Sequence, residues 1–317
     1  DRQYLFAVNE VDAFAGITGG SVSAFAIDPE SVQLSFINAQ TSHGASPCYL
    51  TLDSTEKWAF VTNYTGGSIA VFPVTDDGWL GEATAVIQNQ GHSINPTRQE
   101  APHPHCVIFD PAQRYAFVAD LGLDQILIFR FDAASGQLLP HNPPTFATEP
   151  GAGPRHLEFH PNGRYLYVTN ELNSTITVYA CDLDYGALKH RQTISAVPND
   201  FVGINWIADI HVTRSGLFLY VSNRGHDSIA IFAIDQQDGS LTLVEFVSSG
   251  GQTPRNFSLD LTDSYLLVAN QDSHNLVVFQ INKNNGRLTP TAVAVSIPSP
   301  VCVKVVERNL LLKRLQA

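Results

Sequence analysis

The sequence contains no methionine, only four cysteines and far fewer cations than anions. Cys48, Cys106, Cys181 and Cys302 are scattered, with no C-x-x-C pair and no metal-type spacing. Neither a zinc module nor a disulfide scaffold is expected, and the cysteines read as small buried thiols in a reducing compartment. Lys and Arg together number 18 against 30 Asp and Glu, a formal charge of −12. An acidic surface repels phosphate backbones, so no nucleic-acid partner is expected. No run approaches the apolar length of a membrane span, and no membrane partner is expected. Asp1-Arg2-Gln3-Tyr4 carries no signal-peptide pattern, and a chain that starts without Met is expected to be trimmed or processed. A G-x-S-x-G nucleophile elbow, a Gly-rich phosphate loop and a nucleotide fingerprint are all missing, and no cofactor is expected. Nothing physical in the sequence explains the missing methionine.

What the 317 residues do contain is enough apolar sequence, 44% of the total, to bury a substantial core. They also contain a repeat. An apolar, often aromatic run ending in Asn or Asp recurs as Leu5–Asn9, Ala59–Asn63, Ala116–Asp120, Leu166–Asn170, Leu219–Asn223 and Leu266–Asn270. The polar ends are spaced by 54, 57, 50, 53 and 47 residues. A second phrase follows each time, as in Ser68-Ile69-Ala70-Val71-Phe72 and Ser228-Ile229-Ala230-Ile231-Phe232. Then comes a Gly-x-Leu turn, as in Gly239-Ser240-Leu241. Another apolar run precedes each Asn phrase and usually opens with Pro: Pro47, Pro104, Pro154, Pro254 and Pro300. Short β-branched and aromatic runs between Gly, Asn and Asp, with no helical period, predict strands. Four strands per repeat of this length predict an all-β fold, a β-propeller of four-stranded blades in a single domain over 1–317.

Complete units start near Pro47, Pro104, Pro154, Ala208 and Pro254. The last blade is expected to be closed by both termini, with Val301–Val306 joining Tyr4–Asn9, Ser21–Ile27 and Gln33–Ile37. Six blades are visible on this count.

The start of strand one and the end of strand two of a blade meet at one rim. The repeat therefore places Pro104-His105, Pro154-Arg155-His156, Asp209-x-His211 and Pro254-Arg255-Asn256 beside Asp120, Asn170-Glu171, Asn223-Arg224-Gly225-His226 and Asn270-Gln271. The repeated Asn reads as structural, bonding its own turn. Its neighbours change from blade to blade and are charged or imidazole, as a site grafted on a repeat would be. A rim position puts Arg155 outside the core. An Arg155–Glu171 ion pair that serves only the fold is the competing reading. The spacing of His103, His105, Asp120 and His211 does not support a metal site.

Taken together, Gly151–Leu157 with Asn170–Ser174, His103-Pro104-His105, Asp120–Asp124, Ala208–His211, Ser222–Ser228, Pro254-Arg255-Asn256 and Ala269-Asn270-Gln271 resemble the lactonase-type β-propeller family. That family includes bacterial 6-phosphogluconolactonases and fungal carboxy-cis,cis-muconate cyclases. The resemblance covers essentially the whole chain. Family members usually have seven blades, so about one blade is expected to be missing ahead of Asp1. The resemblance implies a cytoplasmic enzyme of carbohydrate metabolism, in the pentose phosphate pathway, whose partner is a small anionic lactone. Its oligomeric state stays open. Hydrolysing a lactone needs a base, donors for the oxyanion and cations for the substrate's charge. The implied catalytic residues are His105, Arg155 and Glu171, with Glu171 or His105 as base. The implied substrate-binding residues are His156, His211, Arg224, His226, Arg255 and Gln271, the arginines holding phosphate or carboxylate. Muconate-type cycloisomerisation needs similar groups, and a non-catalytic binding propeller is the third reading.

Overall fold

The computed structural model describes residues 3–306, and among these there is no helix. None is therefore long and apolar enough to cross a membrane. Apart from a small hairpin of Ala13–Phe14 and Ile17–Thr18, the strands form six antiparallel meanders in chain order, the blades of the propeller. Blade one has Tyr4–Asn9, Ser21–Ile27 and Leu34–Thr41. Blade two has Pro47–Leu52, Trp58–Asn63, Ser68–Pro73 and Ala85–Gln88. Blade three has Pro104–Phe109, Tyr115–Asp120, Gln125–Asp132 and Gln137–Ala147. Blade four has Pro154–Phe159, Tyr165–Asn170, Thr175–Asp182 and Ala187–Ser195. Blade five has Trp206–Val212, Phe218–Arg224, Ser228–Ile234 and Leu241–Ser248. Blade six has Pro254–Leu259, Tyr265–Asn270, Asn275–Ile281 and Leu288–Ser296. The chain divides into two compact units, the first ending at Gly153 and the second running from Pro154 to Val305.

Blade one has three strands, not four. Residues 301–306 form no strand, and Tyr4–Asn9 has Ser21–Ile27 as its ladder partner. The expected closure by both ends of the chain therefore does not hold for the described residues. Val301–Val306 has the β-branched composition of a strand, but a strand also needs a neighbour to pair with. Its Val303 N–H donates instead to Asn256 Oδ1 at 2.6 Å.

The cores lie between consecutive blades. Phe60 and Val71 of blade two pack with Val107 and Val118 of blade three. Val178 of blade four meets Ile210 and Phe232 of blade five, and Tyr220 and Ile231 meet Phe257 and Phe279 of blade six. The Gly of the Gly-x-Leu turn fits this packing. Gly239 has φ +76°, and a Cβ there would lie 2.4 Å from the ring of Tyr165. That ring is held in place by its hydroxyl, which donates to the Gln237 carbonyl at 2.6 Å.

The register places the site. Pro47 opposes Asn63, Pro104 opposes Asp120, Pro154 opposes Asn170, Ile207 opposes Asn223 and Pro254 opposes Asn270. Proline suits the start of a strand because it has no N–H to give the ladder. Immediately afterwards each ladder breaks in a β-bulge. Cys48, His105 and Arg255 are left out in blades two, three and six; Arg155-His156 and Ala208-Asp209 are left out in blades four and five. A bulge re-aims the side chains it carries. Two of the displaced N–H groups find hydroxyls on strand two: His156 N–H donates to Thr169 Oγ1 and Asp209 N–H to Ser222 Oγ, both at 3.0 Å.

The repeated Asn is structural and reaches further than its own turn. Asn223 Nδ2 donates to Ser228 Oγ at 3.3 Å and to the Ala196 carbonyl, from the end of blade four, at 2.7 Å. Asn63 likewise spans Ser68 Oγ and the Ser42 carbonyl. Blade three reverses the polarity, since Asp120 accepts from Asn89 Nδ2 at 2.8 Å and from the His103 N–H at 2.7 Å. Replacing Asn223 with Ala should leave the Ala196 carbonyl and Asn205 Nδ2 without this partner. The expected loss is about 1–3 kcal/mol, read as a lower urea midpoint at unchanged m-value.

Candidate active site

Three charged side chains from blades four and five meet at one carboxylate oxygen. Arg155 leaves the blade-four bulge, and its Nε lies 2.8 Å from Glu171 Oε2. Arg224 Nη2 lies 2.7 Å from the same oxygen. Strand one of blade five steadies both guanidiniums through its carbonyls. Arg155 Nη1 donates to Ala208 O at 2.6 Å and Arg224 Nη2 donates to Ile207 O at 3.2 Å. Glu171 and Arg224 each directly follow their blade's Asn, a position that Tyr64, Leu121 and Gln271 fill in blades two, three and six. The expectation that Arg155 stands outside the core does not hold, because only 2% of its surface is exposed. The bulge turns it inward, where the ion pair compensates its charge. Burial lowers Arg224 to about 10, with the charges of Arg155 and Arg255 adding to the shift and Glu171 opposing it. It stays a cation at neutral pH. Arg255, half-buried in the blade-six bulge, thus belongs to the same electrostatic group.

A second layer lies along strand one. His156 Nδ1 is 2.8 Å from Asp209 Oδ1, and His156 Nε2 is 3.2 Å from Arg155 Nη1. His211 Nε2 is 3.3 Å from Asp209 Oδ2, and its ring packs edge-on to Phe257 at 4.9 Å. Burial, helped by the Arg155 charge, lowers His156 to about 4, so its imidazole is neutral at physiological pH. Burial opposes ionising Asp209, but the His211 charge and the hydrogen bonds from His156 and His211 outweigh it and hold the carboxyl well below the usual range. Burial also opposes protonating His211, and the Asp209 carboxylate overcomes that and raises it.

Two residues of this layer escaped the sequence-based selection. Asp209 was visible in the Asp209-x-His211 pattern, and its bulge position is the signal that would have promoted it. Glu158 gave no sequence signal, because it looks like an ordinary strand position. Burial pushes it up to about 7, against the lowering charges of His211 and Lys304.

His105 lies in the first compact unit and has different neighbours. It is 5% exposed, and its ring stands edge-on to Tyr64 with centroids 5.6 Å apart. The other face of this small group is His103, stacked on Tyr64 at 4.4 Å. Both ring nitrogens of His103 have partners, the Tyr64 carbonyl at 2.9 Å and Glu100 Oε1 at 3.3 Å. Arg98 Nη2 donates to Tyr64 Oη at 3.3 Å. His226 is not brought to the arginines. Its Nδ1 is 2.6 Å from Ser228 Oγ, and its ring packs against Phe201 and Phe246. Gln271 is half-buried at the position equivalent to Glu171 and Arg224, with its N–H donated to the Thr253 carbonyl at 2.9 Å.

Bladed meanders in this order define a β-propeller, and in blades four and five they carry a buried arginine–carboxylate cluster. Residues 1–305 match the family described as Lactonase, 7-bladed beta-propeller, and the chain belongs to that family. It is 40% identical to a 6-phosphogluconolactonase of Bacillus subtilis over 285 residues, which cover 90% of this chain and 80% of the relative. Among solved structures it is similar to a putative 6-phosphogluconolactonase of Bacteroides fragilis, at a TM-score of 0.88 and 36% identity, covering 96% of this chain and 84% of the other. It is also similar to the periplasmic gluconolactonase PpgL of Pseudomonas aeruginosa, at a TM-score of 0.90 and 34% identity, covering 96% and 85%.

Two measurements check the electrostatics. Glu171→Gln leaves the Arg155 and Arg224 guanidiniums facing each other without their anion. It should cost about 3–5 kcal/mol of stability in urea titration, and sulfate should recover part of the loss in the variant more than in the wild type. The folded-state pKa of Glu158 is raised, so its stabilising contribution is full below the unfolded value and is lost as pH rises through about 7. Glu158→Gln escapes that loss. It should therefore gain about 1–2 kcal/mol on the wild type between about pH 4 and about pH 8, allowing for the partial exposure of the carboxyl.

Proposed function

We propose that this chain hydrolyses the ring ester of an anionic sugar lactone, with 6-phosphogluconolactone as the substrate of choice. The observation that carries the reading is the meeting of Arg155 and Arg224 at the single carboxylate of Glu171, with the charge of Arg255 acting on Arg224 beside them. In a protein of net charge −12 this is a local excess of cations. Arg224 Nε adds to it, being buried without an acceptor among the described residues. An orphaned buried donor on a guanidinium is an unmet demand for an anion. The names of the relatives point to the same chemistry.

In this reading Arg224 and Arg255 grip the substrate's phosphate, while Arg155 faces the lactone carbonyl and stabilises the oxyanion formed when water attacks. Glu171 takes the proton from that water. Its Oε2 is shared with two guanidiniums, and an activated ring ester needs only a modest base. Collapse of the tetrahedral intermediate breaks the ring C–O bond, the leaving alkoxide takes the proton that Glu171 had accepted, and the carboxylic acid formed releases its own proton to solvent as a carboxylate. His156, neutral and hydrogen-bonded to Asp209, orients Arg155. His211 supports Asp209. His105 and Gln271 contribute at the rims of their own blades. His226 serves blade five rather than the ligand, as its aromatic and Ser228 contacts suggest. A reducing, cytoplasmic setting fits four cysteines that form no disulfide among the described residues.

The test is turnover of freshly generated 6-phosphogluconolactone, corrected for spontaneous hydrolysis. Arg155→Met should lower kcat by about 10²–10³-fold with a smaller change in KM. Arg255→Ala should raise KM by about tenfold or more, the loss of one charge-assisted contact. No turnover by the folded wild type on this lactone, together with turnover of a muconate, would replace hydrolysis with cycloisomerisation.

A further inference from the structure

Asp209 is 3% exposed and collects donors from three blades. Oδ1 accepts from His156 Nδ1 of blade four at 2.8 Å and from the Ile210 N–H of its own strand at 3.0 Å. Oδ2 accepts from Asn256 Nδ2 and from the Phe257 N–H of blade six, at 2.5 and 3.2 Å, and lies 3.3 Å from His211 Nε2. So many donors have one consequence for the arginine. An ionised carboxylate can only accept hydrogen bonds, so His156 Nδ1 must carry the proton. In the neutral ring Nε2 is then a lone pair, and it lies 3.2 Å from Arg155 Nη1, which can only donate. The two hydrogens of Nη1 are thereby assigned, one to His156 Nε2 and one to the Ala208 carbonyl. That fixes the plane of the guanidinium whose Nε faces Glu171. The opposite tautomer, or an imidazolium, would set N–H against N–H.

We propose that Asp209 is a positioning residue for Arg155, acting through the tautomer it imposes on His156. Burial of His156 favours the neutral ring this relay requires, but the geometry alone demands it. The kinetic side of the proposal rests on the lactone-hydrolase reading; the tautomer side does not.

The first measurement is therefore independent of activity. Long-range proton–nitrogen NMR spectra of histidine-labelled wild-type protein at neutral pH, with His156 assigned through His156→Gln, should show His156 protonated at Nδ1 alone. Protonation at Nε2, or at both nitrogens, overturns the proposal. The second measurement is kinetic. Asp209→Asn lets an amide donate to Nδ1 and turn the ring's proton towards Arg155. It should lower kcat by about 10²-fold with KM changed less than about threefold, as loss of an oriented oxyanion donor does. In the His156→Gln background the same change should cost nothing further, because residues that act in series are not additive. Wild-type kcat in Asp209→Asn, or losses that multiply in the double variant, overturns the relay. Should Asp209→Asn fail to fold, the wild-type spectrum still decides. Should the wild type hydrolyse no lactone, the proposed function falls, and the spectrum decides on Asp209 separately.

Discussion

Each of blades two to six interrupts its own ladder at the same point, just after the strand-one residue that opposes the Asn or Asp of strand two. The rest of the site depends on that interruption. A regular strand would send successive side chains to opposite faces, and Arg155 and His156 could not both serve one cluster. The extra residue in the bulge removes the alternation and also leaves the Ala208 carbonyl to accept from a guanidinium. The fold tolerates the lost ladder bonds because Thr169 and Ser222 replace two of them with hydroxyls. The cross-blade bonds of Asn63, Asn223 and Asn270 hold the strand ends in register.

The buried charges follow the same economy of partners. Glu171 and Asp209 are both carboxylates sunk between blades, but their company differs. Glu171 is set among guanidiniums and ends with excess positive charge around it. Asp209 is set among imidazoles, an amide and backbone donors, which satisfy it locally. On the proposed function, the first carboxylate leaves a demand for an external anion, while the second closes a network. Arg155 joins the two, touching Glu171 with Nε and, through His156, Asp209 with Nη1.

Much of the architecture was legible in the sequence because it rests on local chemistry. Tyr4–Asn9 and Ser21–Ile27 are the strands that the alternation and the turn residues predict. The Pro–Asn pairing of the first two strands follows from the repeat alone. That Arg155, Glu171 and Arg224 share a rim followed from aligning the blades, since Glu171 and Arg224 take the same place after their blade's Asn and Arg155 the facing start of strand one. What was not legible depends on neighbours. Val301–Val306 has strand composition but no strand, because a ladder needs a partner that composition cannot supply. Arg155 was expected outside the core because the repeat puts its position at a rim, and only the bulge and the paired carboxylate make its burial tolerable. Glu158 carries no sequence mark, since its raised pKa comes from what packs around it. His226 was drawn into the site by its nearness to Arg224 in sequence, but its ring turned to Phe201 and Phe246 instead.

The Asn that ends strand two carries the structural duty of its blade, and the residue after it is released from that duty. Tyr64, Leu121, Glu171, Arg224 and Gln271 show how differently that residue has been filled. Repetition thus separates inheritance from invention. A copied blade brings its stitching with it and one adjacent position whose chemistry can drift without unravelling the seam. A change of ligand in such a protein can begin as a single substitution in one blade, while the neighbouring copies keep the scaffold unchanged.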